Sequence, residues 1–194
     1  MKFKIFKYKN VTSTNDIASN FIKERREESG CIIAEKQTKG RGTQGKKWIS
    51  EIGNLFLTIF FPLKNDFPPF NEFAIINPVI VSNVIGNFCK KKIIKFKWPN
   101  DVFVSGKKIS GILQETIISN NKKFLLIGIG MNIVSNPNID GKYEATNILL
   151  ETEKKQSVNK IAGLIIYSYE AFFFNLKSYD FTSFKEKFEF MALE

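Results

Sequence analysis

Phe3, Ile5 and Phe6 sit among lysines at the start of the chain, which predicts a short half-exposed strand over residues 1–8. The period lengthens to that of a helix at Ile17, Ala18, Phe21 and Ile22, just after Val11-Thr12-Ser13-Thr14-Asn15-Asp16. Ser, Thr and Asn ahead of such a pattern mark a helix N-terminus. The same hydroxyls and exposed N–H groups also suit a small polar ligand, and the pattern leaves both readings open. Residues 23–29 read as a mixed-charge helix end with Gly30 at its C′ position, and Cys31 to Glu35 as a short apolar strand. A buried strand runs from Asn54 to Phe61 and Pro62 closes it, followed by a polar loop at 64–71. Phe73, Ile76, Ile80, Val84 and Phe88 predict a core helix over 72–89, against which Pro78 argues in part. Alternating runs at 102–104 and 107–113 around Ser105-Gly106 are a hairpin signal. Asn120-Asn121 separates a further strand pair that ends at Leu125 to Asn132. After a loop containing Asn136-Pro137-Asn138, a long apolar helix is expected over 157–177 and a Phe-rich one over about 181–190.

Neither a repeat nor a low-complexity linker interrupts this order, and 194 residues suit one domain over 1–194. An apolar share of 43% is enough for a sizeable core. The net charge of +10 raises the prior for anionic partners, but lysines spread along the chain fit a solvated surface better than a nucleic-acid footprint. Only three of the basic residues, Arg25, Arg26 and Arg41, are arginine. Two cysteines in apolar surroundings and no histidine speak against a disulfide scaffold and a zinc site, and exclude chemistry that depends on histidine. No apolar run has the length of a membrane span and no signal-peptide pattern opens the chain, so a cytoplasmic, membrane-free protein is expected.

Candidate chemistry concentrates at Lys39-Gly40-Arg41-Gly42-Thr43-Gln44-Gly45-Lys46-Lys47-Trp48, with three glycines, four basic side chains and no acid. Glycine lets successive N–H groups turn toward one ligand, and such a concave array with cations beside it binds anions. An arginine here, in a chain that nearly always uses lysine, suggests a need for planar bidentate donors. The spacing is neither that of a Walker loop nor that of a dinucleotide fingerprint. Gly128 and Gly130, inside an apolar strand, suggest a close approach by ligand or backbone.

Five strings stand in order between residues 13 and 132: Ser-Thr-Asn at 13–15, Gly-Arg-Gly at 40–42 ahead of Trp48, Lys-Trp-Pro-Asn-Asp at 97–101, Lys-Ile-Ser-Gly-Ile-Leu at 108–113 and Gly-x-Gly-x-Asn at 128–132. Together they closely resemble the catalytic domain of biotin protein ligases. The resemblance implies an α/β fold (α+β in layer terms), of the class II aminoacyl-tRNA-synthetase and biotin-ligase type, with a mixed, mostly antiparallel sheet and helices packed mainly on one face. It implies ATP-dependent ligation of biotin to a carrier lysine through biotinyl-AMP, with Mg2+ held mainly by phosphates and no protein metal site. The implied partner is a biotin carboxyl carrier protein of acetyl-CoA carboxylase or a similar carboxylase. DNA binding is not expected, and a homodimer is possible because relatives pair sheet edges.

Carried over residue by residue, Ser13, Thr14, Asn15, Gln37, Arg41, Gly42, Thr43, Lys108, Gly111 and Gly128 would bind biotin. Arg41, Lys46, Trp48, Asn100, Lys108 and Asn132 would bind ATP or the adenylate. Lys108 and Arg41 would be the catalytic cations, and Asp101 would serve the acceptor lysine or Mg2+. Two departures stand out: Thr43 and Lys46 occupy positions where the family commonly has arginine, so retention of biotinyl-AMP is expected to be weakened. The chain starts at the catalytic region without a winged helix and stops near Glu194, where relatives carry an SH3-like cap. A repressor role is therefore not expected, and the cap is expected to be absent or truncated. The rival readings are a lipoate or octanoate ligase or transferase of the same fold and, more distantly, a basic nucleic-acid-binding domain.

Overall fold

The computed structural model of the chain describes residues 1–137 and 143–193, so that Asn138 and Glu194 lie outside the described residues. Seven strands form one sheet: β1 (Lys4–Val11), β2 (Gly30–Gln37), β3 (Leu55–Pro62), β4 (Ile94–Lys97), β5 (Asp101–Val104), β6 (Lys107–Ser119) and β7 (Lys122–Met131). Their spatial order is β1-β2-β3-β7-β6-β5-β4. Among these described strands only β1 and β2 pair in parallel, because helix α1 (Thr14–Lys23) carries the chain back between them; the other strand pairs are antiparallel. Four further helices follow: α2 (Phe73–Phe88), α3 (Ile148–Thr152), α4 (Val158–Phe174) and α5 (Phe181–Met191). The fold is the mixed, mostly antiparallel α/β arrangement expected from the sequence.

β3 lies in mid-sheet, covered on both faces, which is why its sequence is almost continuously apolar. Leu55, Leu57, Ile59 and Phe61 point into a large core shared with Ile76, Val84, Ile165 and Phe173 of α2 and α4. Phe60 points the other way, into a small core with Ala18, Phe21 and Ile22 of α1. Beyond α1, that second face carries the glycines and polar groups described below. On the helix-rich side a buried chain of hydrogen bonds runs from the Tyr169 hydroxyl to Asn77 Oδ1 (2.9 Å) and from Asn77 Nδ2 to Gln114 Oε1 (2.9 Å). At the sheet's end Leu193 donates its N–H to the Phe96 carbonyl (2.7 Å), so the end of the described chain shields β4. No helix among the described residues is long and apolar enough to cross a membrane.

Several local expectations change. Gly30 is the first residue of β2, not a helix C′ residue; α1 ends at Lys23 and Arg25 takes the left-handed turn conformation, with φ 55°. The charged residues after Lys23 bury nothing that would extend the helix. α4 stops at Phe174 and a short 3-10 turn at Leu176–Ser178 follows. Pro78 stays inside α2, where burial on the core side outweighs the missing N–H. A single long strand, β6, pairs with both β5 and β7, so the two expected hairpins share it.

Candidate active site

Glycines form the floor. On the α1 face of the sheet Thr58 of β3 lies opposite Gly128, which pairs in turn with Leu113 of β6. The next row reads Phe56, Gly130, Gly111 and Asp101 across β3, β7, β6 and β5. A Cβ at Gly128 would stand 2.5 Å from Asn15 Oδ1, at Gly130 2.3 Å from Trp48 Cε2, and at Gly111 2.7 Å from Trp48 Cζ3. Real Cβ atoms do not come that close, so any side chain at these positions would displace Asn15 or the Trp48 indole. The glycines seen as a close-approach signal thus receive protein side chains, and the Trp48 Nε1–H is buried over them without an acceptor.

A polar cradle rises from one end of this floor. The first turn of α1 presents Thr14 and Asn15, both buried. Thr58 reaches Asn15 Oδ1 (2.5 Å) and Thr14 Oγ1 (2.8 Å) with its hydroxyl, while Asn15 Nδ2 donates to Glu115 Oε2 (2.7 Å). Gln37, at the end of β2, accepts from the Thr14 N–H (2.8 Å) and hydroxyl (3.1 Å) and donates to Ser50 Oγ (3.1 Å). Ser13 is buried at the N-cap position, yet its side chain makes no cap hydrogen bond.

The glycine loop folds back on itself beside the cradle. Gly42 donates to the Lys46 carbonyl (2.7 Å) and Trp48 to the Gly40 carbonyl (2.9 Å), with Arg41 and Lys47 paired across the fold. Gln44 and Gly45 turn the tip in left-handed conformations, φ 55° and 73°. Thr43 begins this tip and Lys46 follows it, fully on the outside. Arg41 reaches inward instead. Its Nη1 donates to Asp16 (2.5 Å) and its Nη2 to both oxygens of Glu115 (3.2 and 3.1 Å). Burial disfavours the guanidinium charge, but the hydrogen bond to Asp16 and the charges of Glu115 and Asp16 outweigh it and raise the Arg41 pKa.

A β-bulge aims Lys108 into the site. Val102 pairs with Ser110 and Phe103 with Lys108, so Ile109 is one residue too many for β5. Ile109 and Ile112 both belong to the helix-side core. In an unbroken strand Lys108 would share that side with Ile112; the extra residue turns it to the glycine side. There its Nζ lies 2.7 Å from Asp101 Oδ1 and 5.5 Å from the Trp48 ring, with 23% of the side chain exposed. Asp101 Oδ1 is buried and, despite that closeness, lacks the alignment of a hydrogen bond. Asn100 and Asn132 engage backbone: Asn100 Nδ2 donates to the Ile112 carbonyl (2.9 Å) and Asn132 Nδ2 to the Thr146 carbonyl (3.0 Å). Both border the floor through the strands they brace.

Thr14, Asn15, Gln37, Arg41, Trp48, Asp101, Lys108, Gly111 and Gly128 therefore come together, while Lys46 and Thr43 stay at the loop tip. Asp16, Ser50, Thr58 and Glu115 join the site without having been singled out from the sequence. Thr58 had a signal, as the lone hydroxyl in an apolar strand; Glu115 had none. A cavity of about 420 Å3 among Ile80, Phe172, Tyr179 and Phe184 lies away from all of these residues. Chemically, the arrangement offers a donor-and-acceptor cradle at one end of a glycine floor and two cations beside it. That suits a ligand with a polar uncharged head and an anionic reacting end.

Residues 8–132 match the biotin/lipoate A/B protein ligase family. Over 125 residues the chain is 32% identical to the bifunctional ligase/repressor BirA of Escherichia coli, covering 63% of this chain but only 38% of that protein. Among solved structures it resembles the biotin protein ligase of Leishmania major in complex with biotinyl-5-AMP, with a TM-score of 0.83 and 27% identity over 98% of this chain and 81% of that one. The biotin protein ligase of Aquifex aeolicus in complex with biotin and ATP gives a TM-score of 0.80 and 28% identity over 98% and 78%.

Proposed function

From the premise that this chain belongs to the biotin/lipoate A/B protein ligase family, we propose that it activates biotin with ATP and transfers it to a lysine of a biotin carboxyl carrier protein. The observation that carries the reading is the meeting of the Thr14–Asn15–Thr58–Gln37 cradle with Arg41 and Lys108 over the Gly111–Gly128–Gly130 floor. A urea ring has two N–H donors and one strong acceptor, and Asn15, Thr58 and Gln37 offer both kinds of partner. These groups now pair with one another and with Glu115 and Ser50; a urea would repay bonds given up on its entry, and a ligand lacking the urea could not, which is how such a site rejects it.

Arg41 is suited to hold the carboxylate at the other end. That carboxylate oxygen attacks the α-phosphorus of ATP, forming the acyl–phosphate bond as the bond to pyrophosphate breaks. Negative charge grows on the phosphoryl oxygens, and the Lys108 ammonium answers it. The acceptor amine then attacks the acyl carbon, an amide forms, AMP leaves with the electron pair of the broken C–O bond, and the amine gives up its proton. Asp101, already beside Lys108, is positioned to orient that amine. Among the described residues no three Asp, Glu, Cys or His side chains gather into a metal cage. Mg2+ fits this site as a companion of the ATP phosphates, where it would supply further charge neutralisation.

The test is transfer itself. The chain is incubated with Mg-ATP and a biotin carboxyl carrier domain in the presence of biotin, lipoate or octanoate. A carrier mass increase corresponding to one biotin on the acceptor lysine is the expected result. Acylation by lipoate or octanoate in its place would assign the chain to the other branch of the family.

A further inference from the structure

Arg41 is already satisfied by two carboxylates before any ligand anion is considered, and those carboxylates differ. Glu115 sits on β6 and is fixed twice, by Arg41 and by the buried amide of Asn15. Asp16 sits in the first turn of α1; its side chain is 36% exposed and Arg41 is its ion-pair partner among the described residues. The helix N-terminus keeps a carboxylate there comfortable with or without the arginine. Between Arg41 and Lys47 the loop folds back on itself and meets these two acids through Arg41, while Trp48 seats its end over Gly111 and Gly130. An anion approaching Arg41 must take over one side of the fork, and the Asp16 side is the one held by a single contact, against two to a Glu115 that Asn15 also fixes in place; the two carboxylates are similarly exposed, 36% and 34%.

We propose that Asp16 is a latch on the glycine loop, a specificity-determining residue whose carboxylate holds Arg41 until the anionic end of the ligand replaces it. It acts through Arg41 and does not touch the reacting atoms. Two consequences follow. Binding of an anionic ligand is opposed by the latch, and binding of an uncharged analogue that leaves Arg41 on Asp16 is not. Because an exposed ion pair of this kind is weak, the opposition amounts to about two- to five-fold in affinity. The latch also holds the loop in its folded-back shape with no ligand present. That second consequence is independent of the biotin reading, whereas the first rests on it.

The experiment compares the unaltered chain with Asp16→Asn, which keeps the shape and removes the charge. Calorimetric titrations with biotin and with biotinamide, which lacks the carboxylate, should show biotin tightening by about two- to five-fold in the variant and biotinamide unchanged. Hydrogen exchange across residues 40–48 without ligand should be faster in the variant. Equal changes for both ligands, no change, or weaker biotin binding would overturn the latch. If neither compound binds the unaltered chain, the biotin reading fails, and the latch is then decided by exchange alone: faster exchange in Asp16→Asn sustains it and unchanged exchange overturns it. Arg41→Gln, which removes the cation that Asp16 pairs with, is the second variant. It should make exchange of the loop insensitive to Asp16→Asn, and a full remaining effect would contradict the pairing.

Discussion

The two faces of the central sheet are built on opposite terms. Under α2 and α4, strand residues such as Leu57, Ile59, Phe61 and Ile127 meet helix residues such as Ile76, Ile165 and Phe173, with aromatic rings in edge contact, as between Phe61 and Phe173 at 4.8 Å. On the other face the same strands carry Thr58, Gly128, Gly130 and Gly111, and the space above them is filled by Asn15 and Trp48. A face packed with interlocking apolar groups supplies stability and has no room for change. A face floored by glycine contributes little packing and leaves backbone within reach of whatever lies on it. Stability and chemistry are thus divided between sides of one sheet, and substitutions on each should register in different measurements.

Lys108→Ala should produce the largest effect. Removing a preorganised charge from a developing oxyanion costs on the order of 10²–10³ in rate, here in biotin adenylation, while the urea-unfolding midpoint should stay near that of the unaltered chain. Substantial unfolding by this variant would break the division, since it would make Lys108 part of the scaffold. Tyr169→Phe probes the other side. It leaves Asn77 Oδ1 buried without its donor and should lower stability by about 1–3 kcal/mol with adenylation unchanged at a temperature where the chain is folded. A loss of turnover without a loss of stability would show that the faces communicate.

Thr43→Arg should act more gently, because the position lies at the exposed loop tip. Restoring a cation there should slow release of biotinyl-AMP by about two- to five-fold, measured in the absence of carrier. Tight retention that does not change on this substitution would show that Thr43 is no weakness.

The smallest effect concerns acid sensitivity on the packed side. Burial opposes the charge of Glu170, but the hydrogen bonds from Lys2 and the Phe3 N–H, with the nearby charge of Lys2, overcome it and lower its pKa. A carboxylate held below its unfolded value contributes stability above the usual carboxylate range, and that contribution is lost as pH falls through the folded value. Glu170→Gln should therefore lower the urea midpoint slightly near neutrality and leave it unaltered in strong acid. A difference of equal size at both pH values would assign the effect to shape.

The packed face was largely legible in the sequence, because Phe73, Ile76, Ile80 and Val84 repeat with a helix period and 55–61 is apolar except for Thr58. The chemical face was legible in part. Thr14 and Asn15 announced themselves by their place before a helix, and the basic glycine loop by its composition. The orientation of Lys108 was not accessible, since it depends on one extra residue, Ile109, against β5. Nor could Glu115 be found, because its value comes from β6 lying where Glu115 meets Asn15 of α1 and Arg41 of the loop on one face, a matter of strand order and not of spacing. Trp48, which the family resemblance sets beside the nucleotide, rests over Gly111 and Gly130, a placement that its position after the glycine loop did not reveal.

The most direct measurement is ATP–pyrophosphate exchange by the unaltered chain, with biotin, lipoate and octanoate supplied separately. Exchange that depends on biotin, is lost in Lys108→Ala and persists in Tyr169→Phe is the predicted result. Exchange driven by lipoate or octanoate in place of biotin, or biotin-dependent exchange that survives the loss of Lys108, would contradict the assignment of chemistry to the glycine-floored face.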